Sequence, residues 1–358
     1  MKVVVDAMSA DFGGIRTYVE HLLARWSTSY PEDELHVLVD QDSTLDSSSH
    51  VRHQLRVIRP RMLGRPLAQS TAMRKLVSDL AADVTIATIP STGVRRLASP
   101  LAVVVHDLRH ELRPEQFTRG RRLIRRISYR RTYALADGFL AVSQRSLDDL
   151  HMLHPSTAQK PAAVTHHGAD HVLAWSLTSE AGPCVAFAHH TNKNPDLILD
   201  AWAVLARRGG DVPDLLMVGV SSTSRVTLEA KIEQRALGQY VTLAPYLPDQ
   251  DFQTAFASAA VIVFPSDFEG FGLPVVEAMT LGTPVVIGPE KATMEVANGH
   301  AVVMTDWTPE SLAEAMTSAA HLSTEQLRSA QAWGRTFTWE RTVRETRDML
   351  VRLIQSRS

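Results

Sequence analysis

The feature that most constrains this chain is a rhythm. Short apolar, β-branched runs alternate with amphipathic stretches of helical period, and the alternation restarts about halfway along. Residues 3–5, 35–39, 84–86, 101–105 and 139–142 read as buried strands, with 15–26, 67–80 and 121–136 as helices among them. A second series comes after them, with strands at 185–187, 215–218, 241–243 and 261–264 and helices at 195–205, 225–237 and 251–259. Strands separated by helices pair in parallel, and a parallel sheet is covered on both faces. The pattern predicts an α/β chain of two doubly wound domains, residues 1–168 and 180–338, and 358 residues suffice for two cores. Residues 167–182, rich in Gly, Ala, Ser and Thr, mark the boundary. Residues 40–50 and 58–66, dense in Asp, Ser, Pro and Gly, read as loops.

Composition narrows the classes. A single cysteine, Cys184, excludes a disulfide framework and any Cys-based metal cluster, and it fits a reducing compartment. No apolar run approaches the ~18 residues that span a bilayer. The opening Met1–Asp6 is interrupted by a carboxylate and reads as a strand, not a signal peptide. The expectation is a cytoplasmic protein, peripheral at the inner membrane face at most. Net charge is −2, yet residues 1–170 carry 23 Lys and Arg against 18 Asp and Glu, and residues 171–358 carry 14 against 21. The halves thus meet different partners. With 31 arginines and only 6 lysines, a lysine inside a motif is informative. Nothing points to a nucleic-acid partner.

In open α/β sheets ligands bind beyond the carboxyl ends of the strands, so residues just after strands carry the chemistry. The most specific segment is Phe264-Pro-Ser-Asp-Phe-Glu269-Gly-Phe-Gly-Leu-Pro274-Val-Val-Glu277-Ala-Met-Thr-Leu-Gly282-Thr-Pro-Val-Val286. It reads as strand, loop, helix, turn and strand. Gly270 and Gly272 let the backbone approach a ligand closely, and Pro274 suits the start of a helix. Backbone amides around Phe271, Gly272 and Leu273, with the helix dipole, favour an anion or an electron-rich hydroxyl. Glu269 and Glu277 bracket the turn.

This segment resembles the E-x7-E element of retaining GT-B glycosyltransferases, of the group 1 or family 4 kind, which use nucleotide-sugar donors. The resemblance implies two Rossmann-like domains facing a cleft, with a last helix, residues 340–356, crossing back onto the N-terminal, acceptor-binding domain. It implies that Glu269 contacts the donor sugar's hydroxyls, that Glu277 binds the ribose diol, and that the loop amides hold sugar and diphosphate. Gly13-Gly14-Ile15 resembles the glycine loop that admits donor phosphates, although a plain helix start explains a Gly-Gly pair equally well. Residues 136–143, ending Val-Ser, and Phe337-Thr-Trp339-Glu340 resemble further family elements, with Trp339 as a packing anchor. His106, directly after a very apolar strand, corresponds to a histidine that reaches the donor sugar, and Asp107 either orients it or caps the next segment. Lys193-Asn194 resembles the lysine segment on the donor diphosphate. There the chain departs from the family: Phe187-Ala-His-His-Thr-Asn192 replaces a glycine and an arginine, leaving Ala188 and either His189 or His190 in those places. The catalytic residues implied are thus His106, Glu269 and Lys193. Gly13, Gly14, His189, Asn194, Gly270, Phe271, Gly272, Leu273 and Glu277 would hold the donor, with no cofactor and no metal. The partners implied are a nucleotide sugar and a glycan, lipid-linked or small-molecule acceptor.

Other patterns are less specific. Asp40-Gln-Asp42 and Asp249-Gln-Asp251 match an Asp-x-Asp metal motif, but neither is expected to follow a strand directly. His166-His167 and His189-His190 lack spaced partners for zinc. From Arg119 to Arg131 seven of thirteen residues are arginine, with Leu123, Ile127 and Ala134 as an apolar stripe. That segment reads either as a solvated helix face or as a contact with an anionic membrane or phosphorylated lipid-linked acceptor. Rival functions are a sugar-nucleotide epimerase, and a degenerate nucleotide-sugar-binding or scaffold protein.

Overall fold

The computed structural model describes residues 1–11, 13–59, 61–176 and 181–357. The chain divides into two compact units, residues 1–168 with 338–358, and residues 169–337. The boundary stretch expected at 167–182 lies in part, at 177–180, outside the described residues.

Unit 1 is built on strands β1 (Lys2–Asp6), β2 (Glu34–Asp40), β3 (Val51–Leu55), β4 (Val84–Ala87), β5 (Leu101–Val105), β6 (Gly138–Ala141) and β7 (Ala162–Val164). They form one parallel sheet in the order β3-β2-β1-β4-β5-β6-β7. The register puts Val4, Leu38, Val103, Val105 and Phe139 on one face, where Val103, Val105 and Phe139 pack with Tyr133 and Leu150, and Val4 and Leu38 with Met73 and Val77. The helix Trp339–Arg357 belongs to this unit, as the fold expectation required. It buries Val343, Thr346, Met349, Leu350 and Leu353. Gly138 makes that approach feasible, because a Cβ there would stand 2.7 Å from Met349 and 2.9 Å from Leu353. One carboxylate ties the helix down. Asp33 accepts from Arg347 Nε (2.7 Å) and Nη2 (3.2 Å), from Trp26 Nε1 (3.1 Å) and from the Met1 amino group (2.7 Å). Burial alone would raise its pKa, but these donors more than offset that and hold it below the usual value.

Unit 2 carries β8 (Cys184–Phe187), β9 (Leu215–Val218), β10 (Val241–Leu243), β11 (Ile262–Phe264), β12 (Val285–Ile287) and β13 (Val302–Val303). They too are parallel, in the order β10-β9-β8-β11-β12-β13. Cys184 and Ala186 of β8 face a core with Trp202, Met217, Val263 and Val286, while Phe187 packs against Phe264 (5.5 Å between ring centres). Burial pushes the Cys184 thiol up to about 12, so it is inert core.

Two expectations are corrected. The stretch 58–66 is not all loop: a helix spans Arg61–Ala68, runs into a wide π turn at Gln69–Met73 and resumes at Arg74–Asp79. Asp40 is the last residue of β2, so Asp40-Gln-Asp42 does directly follow a strand; Asp42 pairs with Arg59 at 3.6 Å. The helix Arg119–Leu135 buries Thr132 and Tyr133 and leaves the stripe Leu123, Ile127 and Ala134 exposed, which agrees with both readings of that segment. Among the described residues no helix is long and apolar enough to cross a membrane.

Candidate functional site

In each sheet the strand order reverses once, between β1 and β4 in unit 1 and between β8 and β11 in unit 2. Loops leaving the two strands at a reversal diverge, opening a crevice beyond their carboxyl ends. The residues singled out from sequence collect at these two places.

In unit 2, β8 is followed by a short turn, Thr191–Lys193, and β11 by Pro265-Ser-Asp-Phe-Glu269. The two loops are bonded together. Asn194 Nδ2 donates to Pro265 O (2.9 Å), Asp267 N to Asn192 O (2.9 Å), and Asn192 Nδ2 to Phe268 O (3.0 Å). Asn194 is left-handed (φ +51°), which turns the chain sharply into the helix Pro195–Arg208. On this frame Lys193 Nζ lies 2.5 Å from Glu269 Oε1, and Ser266 Oγ (2.5 Å) and Asn192 Nδ2 (3.0 Å) donate to the same oxygen. Lys193 Nζ also sits 4.1 Å from the centre of the Phe264 ring, a cation–π contact. The lysine and carboxylate side chains are only 8% and 16% exposed, so water screens their attraction weakly. Three donors thus converge on Oε1 of Glu269.

Beyond Glu269 the chain passes Gly270 and Gly272 into the helix Leu273–Leu281. Gly272 has φ +98°, and a Cβ there would stand 2.9 Å from Thr293 Cγ2, so only glycine fits. The Phe271 ring is buried near Phe337 (6.1 Å), so what this residue can offer a ligand is its backbone. Pro274 has no amide hydrogen and Val275 N donates to Gly272 O (2.9 Å), so the amide left at the helix start is that of Leu273. Glu277, one turn inside, is buried and its Oε1 lies 3.1 Å from His171 Nε2. His189, half-buried, lies at the ends of β8 and β9, with Gly219 beside its Cβ and the exposed Tyr246 ring 6.1 Å away.

Unit 1 brings together Gly13, Gly14 and His106. The helix Gly13–Ser29 begins at the glycines, Gly13 has φ +60°, and a Cβ on either would meet nothing within 4 Å. His106 follows β5, and its Nε2 lies 2.9 Å from Thr88 O beyond β4. A carbonyl can only accept, so Nε2 carries the hydrogen. Burial pushes the His106 pKa below the ordinary imidazole value, outweighing Thr88 O and Asp107. The neutral ring therefore presents Nδ1 as an acceptor. Tyr18, from the glycine-led helix, meets the His106 ring edge-on at 5.4 Å and stacks on His167 at 4.8 Å. Burial, then the neighbouring His106 and His166, also holds His167 well below the ordinary value. Asp107 caps the following turn through Arg109 N (2.9 Å). Trp339 is packed on His21 (5.1 Å) and buried.

Asn192, Ser266, His171 and Tyr18 do not stand out in the sequence. Ser266 has a faint signal in the Pro-Ser pair after β11; His171, 106 positions from Glu277, has none. Among the described residues no three His, Cys, Asp or Glu side chains group as metal ligands.

The family model described as glycosyl transferases group 1 matches residues 185–335, and that described as Glycosyltransferase Family 4 matches residues 12–173. Among curated proteins, O-antigen chain mannosyltransferase B of Escherichia coli is 27% identical over 43% of this chain and 41% of its own length. A GDP-mannose-dependent alpha-(1-6)-phosphatidylinositol dimannoside mannosyltransferase of Mycobacterium tuberculosis is 29% identical over 42% and 38%. The chain thus spans about two fifths of the length of these curated relatives. Among solved structures, sucrose-phosphate synthase from Thermosynechococcus elongatus superposes with a TM-score of 0.78 at 15% identity, covering 100% of both chains. Anabaena HepE, in complex with UDP and glucose, gives 0.75 at 18%, covering 98% of this chain and 100% of its own. With a family model on each half and this fold throughout, the chain belongs to the group 1 glycosyltransferases of the GT-B fold.

Proposed function

We propose that this protein moves a hexose-type sugar from a nucleotide-diphosphate donor to an acceptor hydroxyl, with retention at the anomeric carbon and without a metal ion. The observation that carries the reading is the Lys193–Glu269 pair, set at the β8/β11 reversal and fixed by Ser266 and Asn192. As the bond from the anomeric carbon to the diphosphate oxygen breaks, negative charge grows on the diphosphate. In this reading Lys193 and the Leu273 amide at the start of the helix Leu273–Leu281 stabilise that charge. The acceptor oxygen bonds to the same carbon on the same face, and its proton passes to a departing diphosphate oxygen, so the step needs no separate protein base. Glu269 receives hydrogen bonds from the sugar, and Glu277 receives the ribose diol, which one carboxylate can accept together. By the resemblance, the His106 Nδ1 acceptor serves a sugar hydroxyl, and Gly13 and Gly14 admit the phosphates. The mannosyltransferases among the relatives support a hexose, and the single buried Cys184 supports a cytoplasmic site of action.

The test is a thermal-shift screen with UDP, GDP, ADP and dTDP sugars, followed by release of nucleoside diphosphate from the donor that binds. One nucleotide class should raise the melting temperature, as native-state ligands do. Glu269→Ala and Lys193→Ala should each lower release by about 100-fold or more. Overturning results are a flat screen, an epimerised donor, or near-wild-type release in either variant.

A further inference from the structure

The helix Arg119–Leu135 has seven arginines and no carboxylate. Its anchoring lies in the last half of its length. Thr132 and Tyr133 are buried, Thr92 N donates to Thr132 Oγ1 (3.1 Å), and Arg131 donates to Thr92 O (3.0 Å). The first half presents the opposite surface. Leu123 is 58% exposed, Ile127 56% and Ile124 37%, and Arg119, Arg121, Arg122 and Arg126 are exposed around them. Among the described residues no carboxylate lies within ion-pair distance of these four arginines. Ser128 Oγ, 3.4 Å from Ser91 Oγ, joins the helix to a loop that exposes Val94 and Arg95.

A helix face that only meets water has no use for three neighbouring large aliphatic side chains. A site for a dissolved polyanion would use the arginines and gain nothing from those chains. A second copy docking through this face by a two-fold axis would set arginines against arginines. Aliphatic chains ringed by unpaired guanidinium groups match one environment, the boundary between anionic headgroups and acyl chains. We propose that the segment from Arg119 to Ile127 seats this unit on an anionic bilayer, with Leu123, Ile124 and Ile127 entering the acyl boundary and the arginines on lipid phosphates. The inference does not rest on the identity of the donor, or on any transfer taking place.

The experiment is co-sedimentation of the full chain with vesicles of phosphatidylcholine alone and of phosphatidylcholine mixed with phosphatidylglycerol. Binding should appear with the mixed vesicles only and weaken with salt. Each basic side chain near such a surface is worth about fivefold in partitioning, so R121E/R122E/R126E should weaken binding by about 100-fold or more. L123S/I127S, with charge unchanged, should weaken it by about tenfold or more while leaving retention on heparin as it was. Every replaced side chain in that double variant is exposed, and an unchanged melting temperature confirms that it folds. The proposal is overturned if both vesicle types bind equally or not at all, if L123S/I127S partitions like the parent, or if the chain is held by heparin and not by vesicles.

Discussion

The pair at the β8/β11 reversal makes a prediction in which stability and turnover separate. Lys193→Met removes the ammonium but keeps most of its length, leaving Glu269 nearly buried with Ser266 and Asn192 still donating. Breaking a buried pair from one side costs about 3–5 kcal/mol, and the two remaining donors put this case near 3. At about 2–4 °C per kcal/mol for a unit of this size, the melting temperature should fall by roughly 6–12 °C. Glu269→Gln keeps the hydrogen-bonding shape and leaves Lys193 over the Phe264 ring, so about 2 kcal/mol is expected. In the double variant neither charge is stranded, and the loss should stay near 2 kcal/mol, giving a coupling of roughly 3 kcal/mol. Calorimetry reads the stability cycle, and nucleoside diphosphate release reads turnover. Release should drop by about 100-fold in each single variant and not recover in the double, because Lys193, the cation proposed for the diphosphate, is absent there too. Additive losses within about 0.5 kcal/mol would mean the ion pair does not form in solution, and the geometric reasoning would fail with it.

Two further outcomes are expected. Nucleoside diphosphate release should be unchanged in excess EDTA; release abolished by EDTA and restored by Mn²⁺ would overturn the metal-free reading. Asp33 has a lowered folded-state pKa, so its contribution is complete above the unfolded carboxyl value of about 3.9 and is lost as pH falls through the folded value. Arg347→Ala should therefore destabilise unit 1 by roughly 3 kcal/mol at neutral pH and by much less below that window. A loss in melting temperature that does not shrink at any pH as the solution is acidified from pH 7 would contradict this.

Much of the fold is legible in the sequence because buried parallel strands are apolar on both faces. Residues 101–105, Leu-Ala-Val-Val-Val, could hardly be anything but β5. The edge strand β3, Val-Arg-His-Gln-Leu, is invisible there because Val51, Arg52 and Gln54 are exposed and the strand carries no apolar run. The helix from Arg61 reads as loop because Gly64 and Pro66 break the local pattern; Pro66 withdraws one amide, and the wide turn at Gln69–Met73 comes directly after it. In the stripe Leu123–Ile127 the helical period is legible, but period alone does not say which face the sheet covers, and it is Thr132 and Tyr133 that turn inward. For the site, Glu269 and Lys193 can be named because one short string carries each. Ser266 and Asn192, which hold them, are ordinary loop residues until β8 and β11 pair.

The discontinuity of unit 1 has a consequence for biogenesis. Its sheet is finished by Val164, but the helix that covers Gly138 and locks Asp33 is made only after the whole of unit 2. The second unit, continuous from residue 169 to 337, is complete before its predecessor can close. During translation, therefore, the earlier-made half waits with an apolar flank uncovered. A stalled or prematurely terminated product would keep that flank bare, a natural substrate for chaperones and quality-control proteases.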